Sequence, residues 1–197
     1  MKNFFRKVGF GIIPNEKIPN DPLKWAQNQI TETVPEFSYK GKIYSEKEMR
    51  KFYRDWVYND RKKLRKKFKK DKKGYKAAKN QLRADTGQKF WKNLEIAIRH
   101  KDAISSDHPV FTKLWYFWTN HFTISDKDML ADYSTGAYQR EVIRANLNKT
   151  FEELTYEATV AWAMILHLDN SENVGPNSED ARAEWRKKKK RPATINE

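Results

Sequence analysis

The sequence predicts an all-α fold: a multi-helix domain with a long basic helix and an aromatic-rich helical core. Three observations carry that prediction. No proline lies between Pro35 and Pro109, and only Gly41, Gly74 and Gly87 interrupt that stretch. Apolar residues recur at steps near 3.6 along most of the chain, which places them on one side of a helix. No segment alternates apolar and polar residues as a half-buried strand does, and no internal repeat is present.

Taken in order, the first helix signal is Ser45-Glu46-Lys47-Glu48, a capping box with a hydroxyl at the N-cap and a carboxylate three residues on. From there Tyr53, Val57, Leu64, Phe68, Tyr75, Ala78 and Leu82 keep a helical period, with Arg61 and Asp71 occupying the two skipped turns. The pattern predicts one helix over about 46–85, with Gly74 as the place to bend and Gly87 as its C-terminal glycine. Phe90, Leu94, Ala97 and Ile98 form the next apolar face. Asp107 before Pro109 reads as an N-cap with a first-turn proline. Phe111, Leu114, Trp115, Trp118 and Phe122 then share a face, and 123–128 reads as a loop. A helix is expected from about Thr135 through Tyr138, Val142 and Leu147. Thr150-Phe151-Glu152-Glu153 is a second capping box, opening a helix over 151–168 with Leu154, Ala158, Trp162, Ile165 and Leu166 inward. DNSENVGPNS (169–178) is dense in turn formers, and 179–191 reads as a short basic helix.

Composition sets the outer limits. At 197 residues a single domain is the default, able to bury roughly 70% of its unfolded surface. Aromatic residues make up 14%, too many for a disordered chain. There is no cysteine, which excludes disulfides, thiolate metal sites, iron–sulfur clusters and a cysteine nucleophile. No apolar run approaches the roughly 18 residues of a membrane helix. The opening MKNFFRKVGFGIIPNE breaks its apolar stretch at Arg6 and Lys7 and lacks a small-residue cleavage site, so it does not read as a signal peptide, and the expected location is the cytoplasm.

Charge is unevenly placed. Against a formal net charge of +14, residues 40–101 carry 23 basic and 7 acidic side chains, whereas 102–178 carry 5 and 11. The chain therefore divides into a basic helical segment (44–101), an aromatic, acidic helical segment (107–178) and a basic tail (179–197). A boundary near 101–108 or a pair of complementary helices would each produce that asymmetry.

Four motifs in order resemble one family. VGFGIIPNE (8–16), FWTNHFTIS (117–125), GAYQREVIRANLNKTFEELTYEAT (136–159) and MILHLDNSENVGPNS (164–178) are similar to segments of the bacterial domain-of-unknown-function 1800 family. The resemblance covers essentially the whole chain. It implies a fold but no activity, since the family's biochemistry is not settled, and it implies export for many members. The stretch 59–83 is richer in lysine than the family pattern. Ile195-Asn196-Glu197 looks like the start of the family's next motif, an asparagine–glutamate pair that opens another helix. The resemblance thus implies an incomplete domain, the N-terminal part of a longer one, truncated or split and without independent catalysis. Its expected partner is a polypeptide supplying the C-terminal part, docking on an apolar patch of the helix 109–122 or 151–168.

The candidate site residues are polar groups inside apolar motifs: Asn120, His121, Glu141, Arg144, Asp169 and Asn170. One reading gathers His121, Glu141 and Asp169 into a cleft as metal ligands or proton carriers, in a metal-dependent hydrolase-like enzyme. The commoner reading is structural: Asp169 and Asn170 cap helix ends, Glu141 pairs with Arg140 or Arg144, and His121 bonds a carbonyl. No HExxH or other metal-ligand spacing is present, so no metal is assigned. His108 and His167 sit near helix ends. Asp126, Asp128 and Asp132 lack the glycine and glutamate of a calcium loop. No phosphate loop and no nucleophile elbow occurs.

RKKLRKKFKKDKK (61–73) offers Arg61, Lys62, Lys63, Arg65, Lys66, Lys67, Lys69 and Lys70 to the phosphates of nucleic acid or to an anionic surface, with RKKKKR (186–191) as a supplement. Such binding would be non-specific, since no zinc finger or RNA-binding aromatic motif accompanies it. Leu64 and Phe68 within the run also fit a solvated lysine-rich face over a buried seam.

Overall fold

The computed structural model describes residues 2–12, 17–30, 34–37, 39–125, 129–170 and 173–183, and among them there are helices and no strand. Ile13–Glu16 of the first motif, Asp126 and Asp128, the run 186–191 and the terminal Ile195–Glu197 lie outside the described residues.

The N-terminal helix α1 (Lys2–Val8) buries Phe5 against Trp25 of α2 (Pro22–Gln27), whose Asp21 cap accepts from Lys24 N–H and whose Pro22 opens the first turn. The basic stretch is not one helix. The capping box at Ser45 starts α3 (Glu46–Arg54), which widens into a π-helical segment (Asp55–Asp60) before α4 (Arg61–Lys67). The chain then turns through 68–71 and restarts as α5 (Lys72–Asp85). The expected bend at Gly74 is therefore a break three residues earlier. Its cause is Asp71, whose carboxylate accepts from Gly74 N–H at 2.8 Å and so acts as a new N-cap, the role in which Asp outcompetes a helix interior. Gly87 does end α5, in the left-handed conformation (φ 65°), and leads straight into α6 (Gln88–Ser105).

The buried side of α6 runs through Trp91, Leu94, Glu95, Ile98 and Asp102, while Phe90 is 60% exposed and Ala97 is exposed too, against expectation. Helix α7 (Pro109–His121) has Pro109 in its first turn, but its N-cap is His108 rather than Asp107. The cap acceptor is supplied from afar: the buried Gln29 accepts from Val110 N–H at 3.0 Å. Helix α8 begins at Met129, six residues before the expected start, and runs to Ala137. It continues as a second π-helical segment (Tyr138–Ile143) and a 3₁₀ turn (Arg144–Asn146).

The second capping box opens α9 (Phe151–Val160) as expected. The helix then breaks at Ala161 (ψ 138°) and resumes as α10 (Trp162–His167). No proline or glycine marks this break. Near it the buried Tyr138 hydroxyl shares its one proton between Phe122 O (3.2 Å) and Ala158 O (3.4 Å), carbonyls near the ends of α7 and α9. Ser178 caps the short α11 (Glu179–Arg182), so the basic helix expected over 179–191 is described only for its first turn.

Helix α8 is the hub, packing against α3, α6 and α10, while α7 and α9 pack on the π segment that follows it. Basic and acidic segments are thereby interleaved. One core cluster joins Trp115, Phe122, Tyr138, Ile143, Leu154, Ala158 and Met164, with Trp118 and Trp162 packed at its edge; a smaller one joins Met49, Tyr133 and Ala137. Phe111 is buried elsewhere, against Arg144, and Ile165 is half-buried. Phe117 (57%) and Phe151 (60%) are exposed on either side of Trp118, on the two helices where an apolar patch is expected.

Because Trp115 is 2% exposed, Trp115→Ala should cost about 3–5 kcal/mol in urea unfolding. The half-buried Trp118→Ala should cost clearly less; equal losses would contradict this placement of the core. Gly136 lets α8 approach α6, since a Cβ there would meet Glu95 Cγ at 2.3 Å and Cβ at 2.4 Å. Gly136→Ala should therefore destabilise by about 1–3 kcal/mol despite alanine's better helix propensity.

Candidate functional site

The structure places the residues singled out from the sequence on separate elements. His121 ends α7 in an exposed position, its ring parallel to Phe117 (10°, 6.4 Å) and edge-on to Trp118 and Phe122. Asn120 beside it is exposed. Asp169 follows α10 in the left-handed conformation (φ 55°), with its N–H on Leu166 O at 3.1 Å, which makes it a helix-terminating residue. Asn170 accepts a side-chain hydrogen bond from Asn173 in the loop that follows. Glu141 is held by the Arg140 guanidinium and by the N–H of Glu46 at the start of α3. Among the described residues no three His, Asp or Glu side chains come together in a way that could hold a metal ion, so the convergence that a metal reading of His121, Glu141 and Asp169 requires is not found.

What the fold does assemble is a polar network around Arg140. Its guanidinium donates to Glu95 Oε1 (3.0 Å), Glu141 Oε1 (2.9 Å) and Tyr44 O (2.7 Å), and Glu141 Oε2 accepts from Glu46 N–H, the first residue of α3, at 2.9 Å. The side chains of Arg140 and Glu95 are only 13% and 12% exposed. Burial alone would lower the Arg140 pKa, but Glu95 and Glu141 outweigh it and hold the guanidinium above its usual range. The π-helical turn matters here, because it leaves Gln139 O to accept the Trp115 indole N–H at 2.6 Å as well as Arg144 N–H.

Arg144 is 6% exposed, with its guanidinium over the rings of Phe37, Phe111 and Trp115 at 5.2–5.6 Å. Burial lowers its pKa, opposed only in part by the carboxylate of Asp102, itself buried and bonded by Thr112 Oγ1 at 2.8 Å. The sequence pattern does not single out Glu95 and Asp102. They recur seven residues apart on the buried side of α6, and a carboxylate inside an apolar stripe signals a buried cationic partner.

Between α3, α6 and α8 the network borders a cavity of about 170 Å³. It is walled by Trp91, Met49, Tyr133, Ile96, Arg99 and Thr135, among others. A wider groove of about 360 Å³ runs between residues 10–12 and 103–109.

The basic stretch forms an outlying arm. Helix α4 packs on the preceding π segment and on α5, and α5 packs on α4 and α6; neither helix buries a residue. Lys62, Lys63, Arg65, Lys66, Lys67, Lys69 and Lys70 are exposed, whereas Arg61 is half-buried over the Trp56 ring (5.7 Å). Leu64, Phe68 and Tyr75 are half-buried. Burial alone would push the Tyr75 phenol up, but the guanidiniums of Arg61 and Arg65 beside it prevail and hold it below its usual range.

Removing one partner of the Arg140 network leaves a buried charge unmatched. Glu95→Ala should therefore cost about 3–5 kcal/mol in denaturant unfolding, and pairing it with Arg140→Met should recover a large part of that loss. A double variant no more stable than Glu95→Ala would show that the network is not coupled in this way.

No helix among the described residues is long and apolar enough to cross a membrane. No curated protein and no solved structure matches the chain. The model of one family, described as Protein of unknown function (DUF1800), matches residues 3–197. That span is nearly the whole sequence and bears out the four ordered motifs: the chain belongs to the DUF1800 family.

Proposed function

We propose that this protein binds polyanions without sequence specificity through its basic arm, residues 61–85. One observation carries the reading: ten lysine and arginine side chains stand exposed on an outlying arm that buries no residue in either helix. Among the described residues, Lys62, Lys63, Lys66, Lys69 and Lys70 are in no ion pair. A lysine-rich face whose only task is solubility would cover an apolar seam docked on the body. Here Leu64 and Phe68 reach only half-burial. Closely spaced, unpaired cations condense onto a phosphate or sulfate polymer by releasing its counterions, which needs charge density but no shaped pocket. The arm lacks the base-reading elements that specificity would require.

The reading predicts steeply salt-dependent retention on heparin and on duplex DNA. Replacing Lys66, Lys67, Lys69 and Lys70 by glutamine should abolish most of that retention at moderate salt. On duplex DNA the slope of log affinity against log salt should become shallower by about 0.9 for each phosphate that is no longer neutralised. These residues are exposed, so the thermal unfolding midpoint should hardly move. Retention unchanged in the quadruple variant would refute the assignment to the arm.

A further inference from the structure

The cavity between α3, α6 and α8 contains an unusual combination of groups. Arg99 donates from Nη1 to Gln139 Oε1 at 2.6 Å, and its guanidinium lies over the Tyr116 ring at 5.0 Å. Its Nε is buried with no hydrogen-bond partner, and so is the hydroxyl of Thr135. Both residues belong to the wall of this one cavity. Among the described residues no carboxylate pairs with Arg99; the acid that shares the wall, Glu95, is taken by Arg140 at 3.0 Å. Arg140 Nε and Arg144 Nε likewise lack a partner; what marks this cavity is that two such donors belong to residues of its one wall, where a ligand acceptor could satisfy both.

We propose that this cavity binds a small organic acid, one carboxylate on an aromatic or branched apolar body, with Arg99 and Thr135 receiving the carboxylate. The apolar body finds Trp91, Met49 and Tyr133, and the mouth is marked by Ile96, which is 41% exposed. A volume of about 170 Å³ suits a molecule of roughly ten heavy atoms and excludes a nucleotide. The carboxylate matches a guanidinium through two oxygens, and it supplies the counter-charge that Arg99 lacks. Neither open donor touches solvent, so binding turns both side chains toward the ligand, which a hydroxyl rotor and a long guanidinium stem allow. This site is independent of the basic arm.

Phenylacetate is a suitable probe, with phenylacetamide as its neutral counterpart, titrated into the full chain and followed by protein-observed NMR. Saturable binding of the acid is expected, with a Kd on the order of 1 mM or tighter. The shifts should centre on residues 91–99 and 133–139, and the amide should bind at least about tenfold more weakly. Arg99→Gln should weaken the acid by about tenfold or more and erase the preference over the amide. Ile96→Trp, at an exposed position that tolerates change, should block entry; it decides the matter if Arg99→Gln does not fold. The quadruple Lys→Gln arm variant should bind phenylacetate like the parent chain, so the two readings fail separately. No saturable binding at tens of millimolar, equal affinity for acid and amide, or shifts confined to residues 61–85 would overturn the proposal.

Discussion

The Arg140 guanidinium joins three parts of the chain that are far apart in sequence. It reaches back 96 residues to Tyr44 O and 45 residues to Glu95, and through Glu141 it holds the first N–H of α3. A buried cation needs its charge and most of its donors met, and here both Nη atoms of Arg140 are bonded while its Nε is not. Meeting them here requires α3, α6 and the segment after α8 to converge at one place. Gly136 sets how closely they do so, since its missing Cβ admits Glu95 at a distance that no other residue permits. The position of the 170 Å³ cavity follows from the same convergence, because its wall is drawn from α3, α6, α8 and Gln139 of the segment after α8.

The polar groups inside the fold serve two different ends. Glu141 and Gln29 accept from N–H groups at the starts of α3 and α7, while Glu95 and Asp102 accept from the side chains of Arg140 and Thr112. Arg99 and Thr135 are not completed in this way. Among the described residues Arg140 Nε and Arg144 Nε also lack a partner, but only Arg99 and Thr135 share the wall of one cavity. The basic arm differs again: it contributes little to the core and concentrates positive charge away from it. Charge there acts at a distance on polymers, whereas the cavity selects by shape and by one charge.

The sequence discloses its helices through local chemistry. Both capping boxes, at Ser45 and Thr150, form with the hydrogen bonds that their residue types require, and Gly87 closes α5 in the left-handed conformation. It misleads where a side chain at one point overrides the period of a whole segment. Asp71 is legible as a good cap, yet the apolar period carries across it as if it were a skipped turn of a longer helix. His121 and Asp169 stand out as polar residues in apolar motifs, but each lies at a helix end, where such residues are common whether or not they act together.

From the sequence alone came the all-α class, the family, the positions of caps and aromatic faces, and the density of charge over 61–73. Those depend on residues within a turn or two of each other, and on motif order. The tertiary structure alone decided the break at Ala161, the two π-helical segments, the pairing of Glu95 with Arg140 and the open donors of Arg99 and Thr135. Several of these involve groups remote in sequence, as when the Tyr138 hydroxyl reaches Ala158 O and Arg140 reaches Glu95. Local periodicity holds no information about which distant partner prevails, because the outcome is a balance of desolvation and packing that exists only once the helices have met.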